Sequence, residues 1–259
     1  MTEIYSSATI KPNNDHFSAL PVALVTGGSK RIGADIIRTL HPEYNIVLHY
    51  LNSSAEAKVL QQALNQKRDN SCQIIQANLD IHQEVLNLAK QAQQLWGGIN
   101  VLINNASQFF PTPIGNVSET DWDALMSSNM KAPFFLSQAL AGELKKNNGN
   151  IINIVDIYSE RPLREHSIYS MAKAGLKMMT ESLAKELGPH VRVNAIAPGP
   201  ILWPETSNEP AHDKIIQSTA LKRQGSPKDI ARTVQFLLQE NVYITGEMIR
   251  VDGGRHLTW

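Results

Sequence analysis

The chain has 259 residues, of which 42% are hydrophobic, and it carries 24 Lys+Arg against 24 Asp+Glu. This length and composition are typical of a globular protein with a well-buried core, built as one large α/β domain or two small ones. The zero net charge argues against an extended electrostatic footprint for nucleic acid or for an anionic membrane. The sequence contains no apolar run of transmembrane length. We therefore expect neither nucleic acid nor a membrane as a partner.

Two features indicate the compartment. The single cysteine, Cys72, cannot form an intrachain disulfide, which fits a reducing cytosol and a small buried side chain. Residues 1–20 are polar and lack the hydrophobic region of a signal peptide. We expect a cytoplasmic protein in which residues 1–20 form a flexible extension and residues 21–259 form a single domain.

Short apolar runs alternate with longer amphipathic stretches from residue 22 onward. The strand candidates are Val22–Thr26, Asn45–Tyr50, Gln73–Gln76, Val101–Ile103, Ile151–Val155, Val191–Ala195 and Met248–Val251. The helix candidates are Arg31–Leu40, Ser54–Gln66, Gln83–Leu95, Trp122–Lys146, Ile168–Leu187 and Pro227–Gln239. This alternation predicts βαβ units. The predicted fold is α/β, a Rossmann-type doubly wound parallel sheet of about seven strands with helices on both faces.

The least regular stretch is Gly199–Ser218, which holds three prolines and Trp203 between a strand and a helix. In an open parallel sheet, ligands bind beyond the carboxyl ends of the strands. We therefore expect residues 199–218 to form a substrate loop, with Trp203 as an aromatic candidate for the substrate site.

A glycine-containing turn, Thr26-Gly27-Gly28-Ser29-Lys30-Arg31-Ile32-Gly33, follows the first predicted strand. Glycines at a helix N-terminus let backbone N–H groups approach a pyrophosphate, although they also end strands for structural reasons alone. The usual dinucleotide spacing places a glycine at position 31, where this chain has Arg31 beside Lys30. Two cations at this turn suit the 2′-phosphate of NADPH, which Arg binds in bidentate fashion.

The end of the second predicted strand favours the same cofactor. NAD-preferring sites place an Asp or Glu there to hold the ribose hydroxyls. This chain has His49-Tyr50-Leu51-Asn52-Ser53, with no acid to repel a phosphate and with several hydrogen-bond donors. The sequence therefore predicts NADPH over NADH.

Tyr169 and Lys173 lie four residues apart in the first turns of a long predicted helix. This spacing places the hydroxyl and the ammonium on one face, where the cation is expected to lower the pKa of Tyr169 and let it exchange a proton near neutral pH. The pattern Tyr-x-x-x-Lys is common in helices. Its combination with the glycine turn, with Asn104–Ser107 and with Pro198-Gly199 argues against chance.

Together these motifs resemble the short-chain dehydrogenase/reductase family from residue 21 to the C-terminus, including the closing Val251-Asp252-Gly253-Gly254. The resemblance implies that Asn129 holds a water connected to Lys173 in a proton relay. The cofactor-binding residues indicated by the motifs and the resemblance are Gly27, Ser29, Lys30, Arg31, Ile32, Gly33, His49, Tyr50, Ser53, Asn78, Leu79, Asn105, Ala106, Ser107, Tyr169, Lys173, Pro198, Gly199 and Ile201.

Within that family the sequence is most similar to the pteridine reductases, including dihydromonapterin reductase-like enzymes. The features that carry this likeness are Thr-Gly-x-x-x-Arg-x-Gly at residues 26–33, His49-Tyr50 followed by Ser53–Ala57, the segment Asn104–Pro113, and Asp156 where most of the family has serine. The resemblance implies NADPH-dependent reduction of a ring C=N bond in a dihydropterin or dihydrofolate. Folate metabolism is then the expected setting.

The resemblance also implies roles for the site residues. A pterin is reduced at C=N bonds, so Asp156 and Tyr169 would deliver a proton to a ring nitrogen, and burial would raise the pKa of Asp156 in favour of the protonated form. Phe109 would stack on the pterin, and Ser107 would bind the pterin or a cofactor phosphate. The predicted catalytic residues are Asp156, Tyr169, Lys173 and Asn129, the predicted substrate-binding residues are Ser107, Phe109, Asp156, Tyr169 and Trp203, and no metal site is predicted.

Several positions leave alternatives open. Asp156 also fits a helix cap or half of an ion pair with a nearby arginine. Asn52 stands where the pteridine reductases often have Arg, Asn78 where an Asp usually meets the adenine amino group, and Ile201 in place of a polar residue near the cofactor. The amide oxygen of Asn78 can still accept that bond, whereas Ile201 would contribute backbone contacts only.

The sequence leaves two other functions open. The first is another reductase of the same family, such as a 3-oxoacyl-acyl-carrier-protein or general carbonyl reductase, against which Asp156 and Phe109 argue. The second is a non-catalytic NADP-sensing protein on the same fold, which would commonly lack the Tyr or the Lys present here. A homotetramer is expected, because the family's counterparts of the helices at 122–146 and 168–188 pack across a two-fold axis.

Overall fold

The computed structural model describes residues 20–203, 209–240 and 242–258. Most of the predicted N-terminal extension, residues 1–19, lies outside the described residues, and so do residues 204–208 of the predicted substrate loop. In the described part of the chain, no helix is both long enough and apolar enough to cross a membrane.

One parallel sheet organises the molecule. Its strands are β1 (Val22–Val25), β2 (Asn45–Tyr50), β3 (Cys72–Gln76), β4 (Val101–Asn104), β5 (Asn150–Ile154), β6 (Arg192–Pro198) and β7 (Met248–Val251). They are ordered β3-β2-β1-β4-β5-β6-β7, and every neighbouring pair is parallel. The order reverses between β1 and β4, which opens a crevice at their carboxyl ends. The predicted doubly wound parallel sheet is confirmed.

Helices cover both faces of this sheet. They are α1 (Arg31–Leu40), α2 (Ser54–Asn65), α3 (His82–Gln93), α4 (Glu119–Met126), α5 (Ala132–Lys146), α6 (Ser167–Leu187), α7 (Glu209–Gln217) and α8 (Pro227–Gln239). One apolar cluster joins α3, α5 and α6 to one face, and a second joins α1, α2 and α8 to the other. Because both faces are covered, β1 and β2 are buried along their whole length, which is why they appear in the sequence as continuous apolar runs.

The predicted helix over Trp122–Lys146 is present but not uniform, because a π-helical turn, Ser127–Lys131, separates α4 from α5. Pro133 has no N–H, so it cannot donate the ordinary intrahelical bond to the carbonyl of Asn129, four residues earlier. A wider turn accommodates this loss. The helix also starts earlier than predicted, at a capping box formed by Ser118 and Asp121.

The stretch 199–218 is more regular than predicted, since its second half forms α7. The other predicted elements are present, with ends that mostly shift by one or two residues, and β6 continues to Pro198. This extension brings the end of β6 level with the crevice.

Buried polar side chains connect the central strands to α6. The Asn153 side chain on β5 accepts a hydrogen bond from Asn104 Nδ2 at 2.8 Å and donates one to Thr180 Oγ1 at 2.9 Å. Thr180 in turn donates to the carbonyl of Leu176. Asn104, Asn153 and Thr180 are buried, so each of these bonds is made without water. The network sets α6 against the sheet.

We predict that Asn153→Ala lowers the free energy of unfolding by about 2–3 kcal/mol, since it removes two buried hydrogen bonds, one from Asn104 Nδ2 and one to Thr180 Oγ1. Urea unfolding measures this loss. The matched control is Gln83→Ala, which removes an amide–amide bond to Asn87 on the exposed surface of α3 and should change stability by less than about 0.5 kcal/mol. Equal losses in the two variants would contradict a stabilising role for the network.

Candidate active site

The predicted catalytic side chains converge where β5 ends and α6 begins. The Tyr169 hydroxyl donates a hydrogen bond to Asp156 Oδ2 at 2.8 Å. The other carboxyl oxygen, Oδ1, accepts the N–H of Tyr158 at 2.9 Å and caps a short 3₁₀ helix, Ile157–Ser159. Asp156 is therefore both a helix cap and the partner of Tyr169, so the two interpretations drawn from the sequence are compatible.

Lys173 lies one helical turn after Tyr169 and is 2% exposed. Its Nζ donates to the carbonyl of Ile154, the last residue of β5, at 3.0 Å, and lies 5.7 Å from the centroid of the Tyr169 ring. The sheet thus holds the ammonium beneath the tyrosine, inside the protein.

Burial is the largest influence on the pKa of Asp156, Tyr169 and Lys173. It raises the pKa of Asp156, against the hydrogen bonds from Tyr158 and Tyr169 and the charge of Lys173. It lowers the pKa of Lys173 to about 8. Burial and the adjacent Asp156 raise the pKa of Tyr169 well above its ordinary value. The expected direction for Asp156 is confirmed, whereas the expected lowering of the Tyr169 pKa is wrong for this arrangement, because desolvation and the adjacent Asp156 raise it.

Asn129 lies fully buried in the π-helical turn. Its Oδ1 accepts the Ser107 hydroxyl at 2.7 Å, and its Nδ2 donates to the carbonyls of Gln108 and Leu125, each at 2.9 Å. The side-chain amide therefore holds the loop after β4 in place.

The loop after β4 supplies Ser107 and Phe109. The Ser107 side chain lies close enough to the Tyr169 hydroxyl to oppose the rise in its pKa. The Phe109 ring meets the Tyr169 ring edge to face, with centroids 4.9 Å apart. The Phe109 ring also stacks on the imidazole of His166, with ring centroids 4.5 Å apart and an interplanar angle of 16°. The sequence analysis missed His166, whose one available signal was its position three residues before Tyr169.

The glycine turn lies beside this group, after β1. Gly27 has φ +60°, and a Cβ there would lie 3.0 Å from Ala106 Cα, while a Cβ on Gly33 would lie 2.3 Å from the Gly27 carbonyl oxygen. Asn105 Nδ2 donates to the carbonyls of Thr26 and Gly27 and so ties the turn to the end of β4. The first N–H groups of α1 have no side-chain cap, which leaves donors for an anion.

Lys30 and Arg31 are exposed at this turn. Arg31 has φ +53°, a left-handed conformation that explains why dinucleotide turns usually place glycine here. Its Nη2 donates to the carbonyl of Trp203 at 3.3 Å, and Lys30 Nζ pairs with Glu56 at 2.8 Å. Such exposed contacts are weak, so an arriving phosphate can compete with them.

His49 was predicted to contact the cofactor, but its side chain does not face the phosphate region. It is buried, its Nδ1 accepts the Gly27 N–H at 3.1 Å and its Nε2 donates to the Ala77 carbonyl at 3.0 Å. Burial lowers the pKa of His49 to about 4, so the ring is neutral at physiological pH. We assign it the role of supporting the glycine turn from below, because both ring nitrogens have protein partners.

The remaining predicted cofactor residues surround the crevice. Asn78 already accepts the N–H of Asp80 with its amide oxygen, and a Cβ on Gly199 would lie 2.5 Å from Asp252 Cβ. The side chains of Tyr50, Leu79 and Ile201 are buried in the protein. Ser29 and Ile32 lie in or next to the glycine turn, Ala106 follows Asn105, Ser53 precedes α2 and Pro198 ends β6.

Trp203 contacts α7 and the glycine turn. Its indole stacks on His212 of α7 at 4.1 Å and 6°, while its carbonyl accepts from Arg31. The structure therefore brings Ser107, Phe109, Asp156 and Tyr169 together, and connects Trp203 to the glycine turn through Arg31.

Comparisons with known proteins agree with this geometry. A model of the short-chain dehydrogenase/reductase family, described as "Enoyl-(Acyl carrier protein) reductase", matches residues 28–256. Pteridine reductase 1 of Leishmania tarentolae is 34% identical over 280 residues, covering 92% of this chain and 97% of that protein. A 3-oxoacyl-(acyl-carrier-protein) reductase of Staphylococcus epidermidis is 33% identical, covering 91% and 98%. A putative ketoacyl reductase of the granaticin polyketide synthase of Streptomyces violaceoruber is 31% identical, covering 92% and 96%.

The family model spans most of the chain, and these relatives exceed 30% identity over nearly their full lengths. The glycine turn and the Tyr169–Lys173 pair carried the sequence resemblance, and the structure adds the parallel sheet and the burial of that pair. The chain belongs to the short-chain dehydrogenase/reductase family of oxidoreductases.

Proposed function

We propose that this protein is an NADPH-dependent pteridine reductase that acts on a ring C=N bond of a dihydropterin or dihydrofolate. The observation that carries the proposal is the buried hydrogen bond between Tyr169 and Asp156, with the Phe109 ring set against Tyr169. The likeness to pteridine reductase 1 supports it. Because relatives named for 3-oxoacyl substrates are almost as similar, the proposal rests on these side chains and not on overall identity.

The residues at the glycine turn fit a dinucleotide with a 2′-phosphate. The uncapped start of α1 suits the pyrophosphate, and the close approach at Gly27 and Gly33 leaves no room for side chains. In the described part of the chain Arg31 has no carboxylate partner, and no acid follows β2 directly. When bound, NADPH supplies the hydride that forms the new C–H bond on the substrate. Lys30 and Arg31 are the residues we assign to its 2′-phosphate.

Tyr169 and Asp156 complete the reduction by supplying a proton. As the C=N carbon gains hydride, the π electrons of that bond move to nitrogen, which takes a proton from the Tyr169 hydroxyl. A protonated Asp156 can donate to the Tyr169 oxygen and so release the Tyr169 proton, whereas an ionised Asp156 holds it back. The raised pKa of Asp156 favours the productive form, and activity should fall as pH rises through that pKa. Lys173 keeps a positive charge beneath the pair below its own pKa.

The second candidate is a 3-oxoacyl-(acyl-carrier-protein) or general carbonyl reductase, which the similarity to the staphylococcal protein favours. NADPH oxidation measured with dihydropterins and with acetoacetyl-coenzyme A separates the two. Faster turnover of the dihydropterin supports our proposal, and turnover of the acetoacetyl substrate alone overturns it. A non-catalytic NADP-sensing role has less support, because Tyr169 and Lys173 are both present and adjacent.

We predict that Arg31→Ala raises KM for NADPH by an amount worth about 1–3 kcal/mol, the scale of a charge-assisted hydrogen bond. KM for NADH should change little. Initial rates with each cofactor measure this, and Arg38→Ala, which removes an exposed arginine of the same helix paired with Asp35, is the control. An equal loss with both cofactors would exclude a 2′-phosphate contact.

We predict that Asp156→Ser removes pterin reduction while folding and NADPH binding persist, because the serine hydroxyl is a far weaker acid than the carboxyl. The reference is Tyr169→Phe, which deletes the proton donor and should lower kcat by roughly 100-fold or more. Turnover per folded molecule and thermal melting are measured for both. If Asp156→Ser keeps pterin turnover and only melts earlier, Asp156 is a helix cap alone.

We also propose a homotetramer whose contacts include α5 and α6. Phe134 and Met178 line an apolar groove between these helices and are 39% and 60% exposed. We predict that Met178→Glu reduces the mass in light scattering at micromolar concentration, since a charge would be buried at the interface. Val59→Glu, at a 66% exposed position on α2, should leave the mass unchanged. A wild-type mass of 28.7 kDa, that of one chain, would contradict the proposal.

A further inference from the structure

The Phe109 ring contacts two other rings, those of His166 and Tyr169. The His166 imidazole lies parallel to the Phe109 ring, at 4.5 Å and 16°, and the Phe109 ring lies at 82° to that of Tyr169. Phe109 belongs to a loop without regular secondary structure and is 42% exposed. An exposed phenylalanine on a loop has several rotamers open to it, so its orientation depends on its neighbours.

His166 is well fixed. It is the N-cap residue of α6, and its backbone forms a parallel bridge with Thr112. Its Nδ1 lies 2.8 Å from the carbonyl oxygen of Arg164, which can only accept, so Nδ1 carries a proton and the ring has one favoured orientation. Helix α6 also carries Tyr169. The two rings that flank Phe109 therefore belong to the same rigid element.

We infer that His166 is a positioning residue for the substrate ring: by covering one side of Phe109, it fixes the plane on which a flat heteroaromatic substrate is held beside Tyr169. This inference rests on the proposed function, since it concerns a planar ring substrate. The bridge between Thr112 and His166 supports it, because the loop that carries Phe109 is joined to the start of α6 at the same point. His166 acts through Phe109 and takes no part in proton transfer.

The inference predicts a requirement for a flat ring at position 166. His166→Ala should raise KM for dihydrobiopterin about threefold to tenfold, which is the scale of one aromatic pair, while kcat changes by less than about twofold. His166→Phe keeps a flat ring and should restore KM, and His166→Leu keeps bulk without a flat ring and should not. KM for NADPH should stay at its wild-type value in all three variants.

The matched control is His82→Ala. His82 meets Phe135 with ring centroids 4.5 Å apart, the same separation as in the His166–Phe109 pair, at the start of α3. Its removal should affect thermal stability without changing KM for dihydrobiopterin. This control separates the loss of a His–Phe contact in general from the loss of the one at the site.

A double-mutant cycle tests whether His166 acts through Phe109. In the Phe109→Leu background, His166→Ala should have no further effect on KM, because the ring that His166 orients is already gone. Additive effects, a wild-type KM in His166→Ala, or equal behaviour of the Leu and Phe variants would each overturn the inference.

Failure of the inference is distinguishable from failure of the proposed function. Wild-type protein that reduces acetoacetyl-coenzyme A but no dihydropterin would overturn the proposed function and this inference with it. Wild-type protein that reduces dihydrobiopterin, together with unchanged KM in His166→Ala, would overturn the inference alone.

Discussion

The Tyr169 hydroxyl and the Asp156 carboxyl meet in a site where burial raises the pKa of both groups. A carboxylate in that position would lack hydration, so its main compensation comes from the Tyr158 N–H, the Tyr169 hydroxyl and the charge of Lys173. These partners come from the 3₁₀ helix that follows β5 and from the first turns of α6. The position of α6 on the sheet is therefore the constraint on which the site depends, and the buried bonds through Asn153 are part of what secures it.

The same dependence extends to the neighbouring loops. The π-helical turn places Asn129 where its amide holds Ser107 and Gln108, and the amide of Asn105 fastens the glycine turn to the end of β4. His49 supports that turn from inside the sheet. Each of these polar side chains forms hydrogen bonds with other groups of the protein. They shape the crevice, while Arg31 makes an exposed contact with the Trp203 carbonyl and the start of α1 has no side-chain cap.

Much of this arrangement was accessible from the sequence, for identifiable reasons. Strands buried on both faces are continuous apolar runs, and the Tyr169–Lys173 spacing places both groups on one helix face in any α-helix. The break at residues 127–131 was not found, although Pro133 signalled it, because the apolar pattern continues across the π-helical turn. His49 was placed on the correct strand, but its side chain bonds protein groups and was expected to bind the cofactor. The position of a residue in a strand does not say which groups its imidazole contacts. The pKa of Tyr169 depends on the balance of desolvation against charge, which requires the three-dimensional environment.

In the function we propose, substrate choice is concentrated in few side chains. Identities of 31% to 34% extend to proteins with different names, so overall similarity and fold do not fix the substrate. A flat ring substrate adds two demands, a proton donor suited to nitrogen and an aromatic plane beside it. Asp156 answers the first, and Phe109 backed by His166 answers the second. In the function we propose, both demands are met by groups in contact with Tyr169, so the immediate neighbours of this side chain select the substrate.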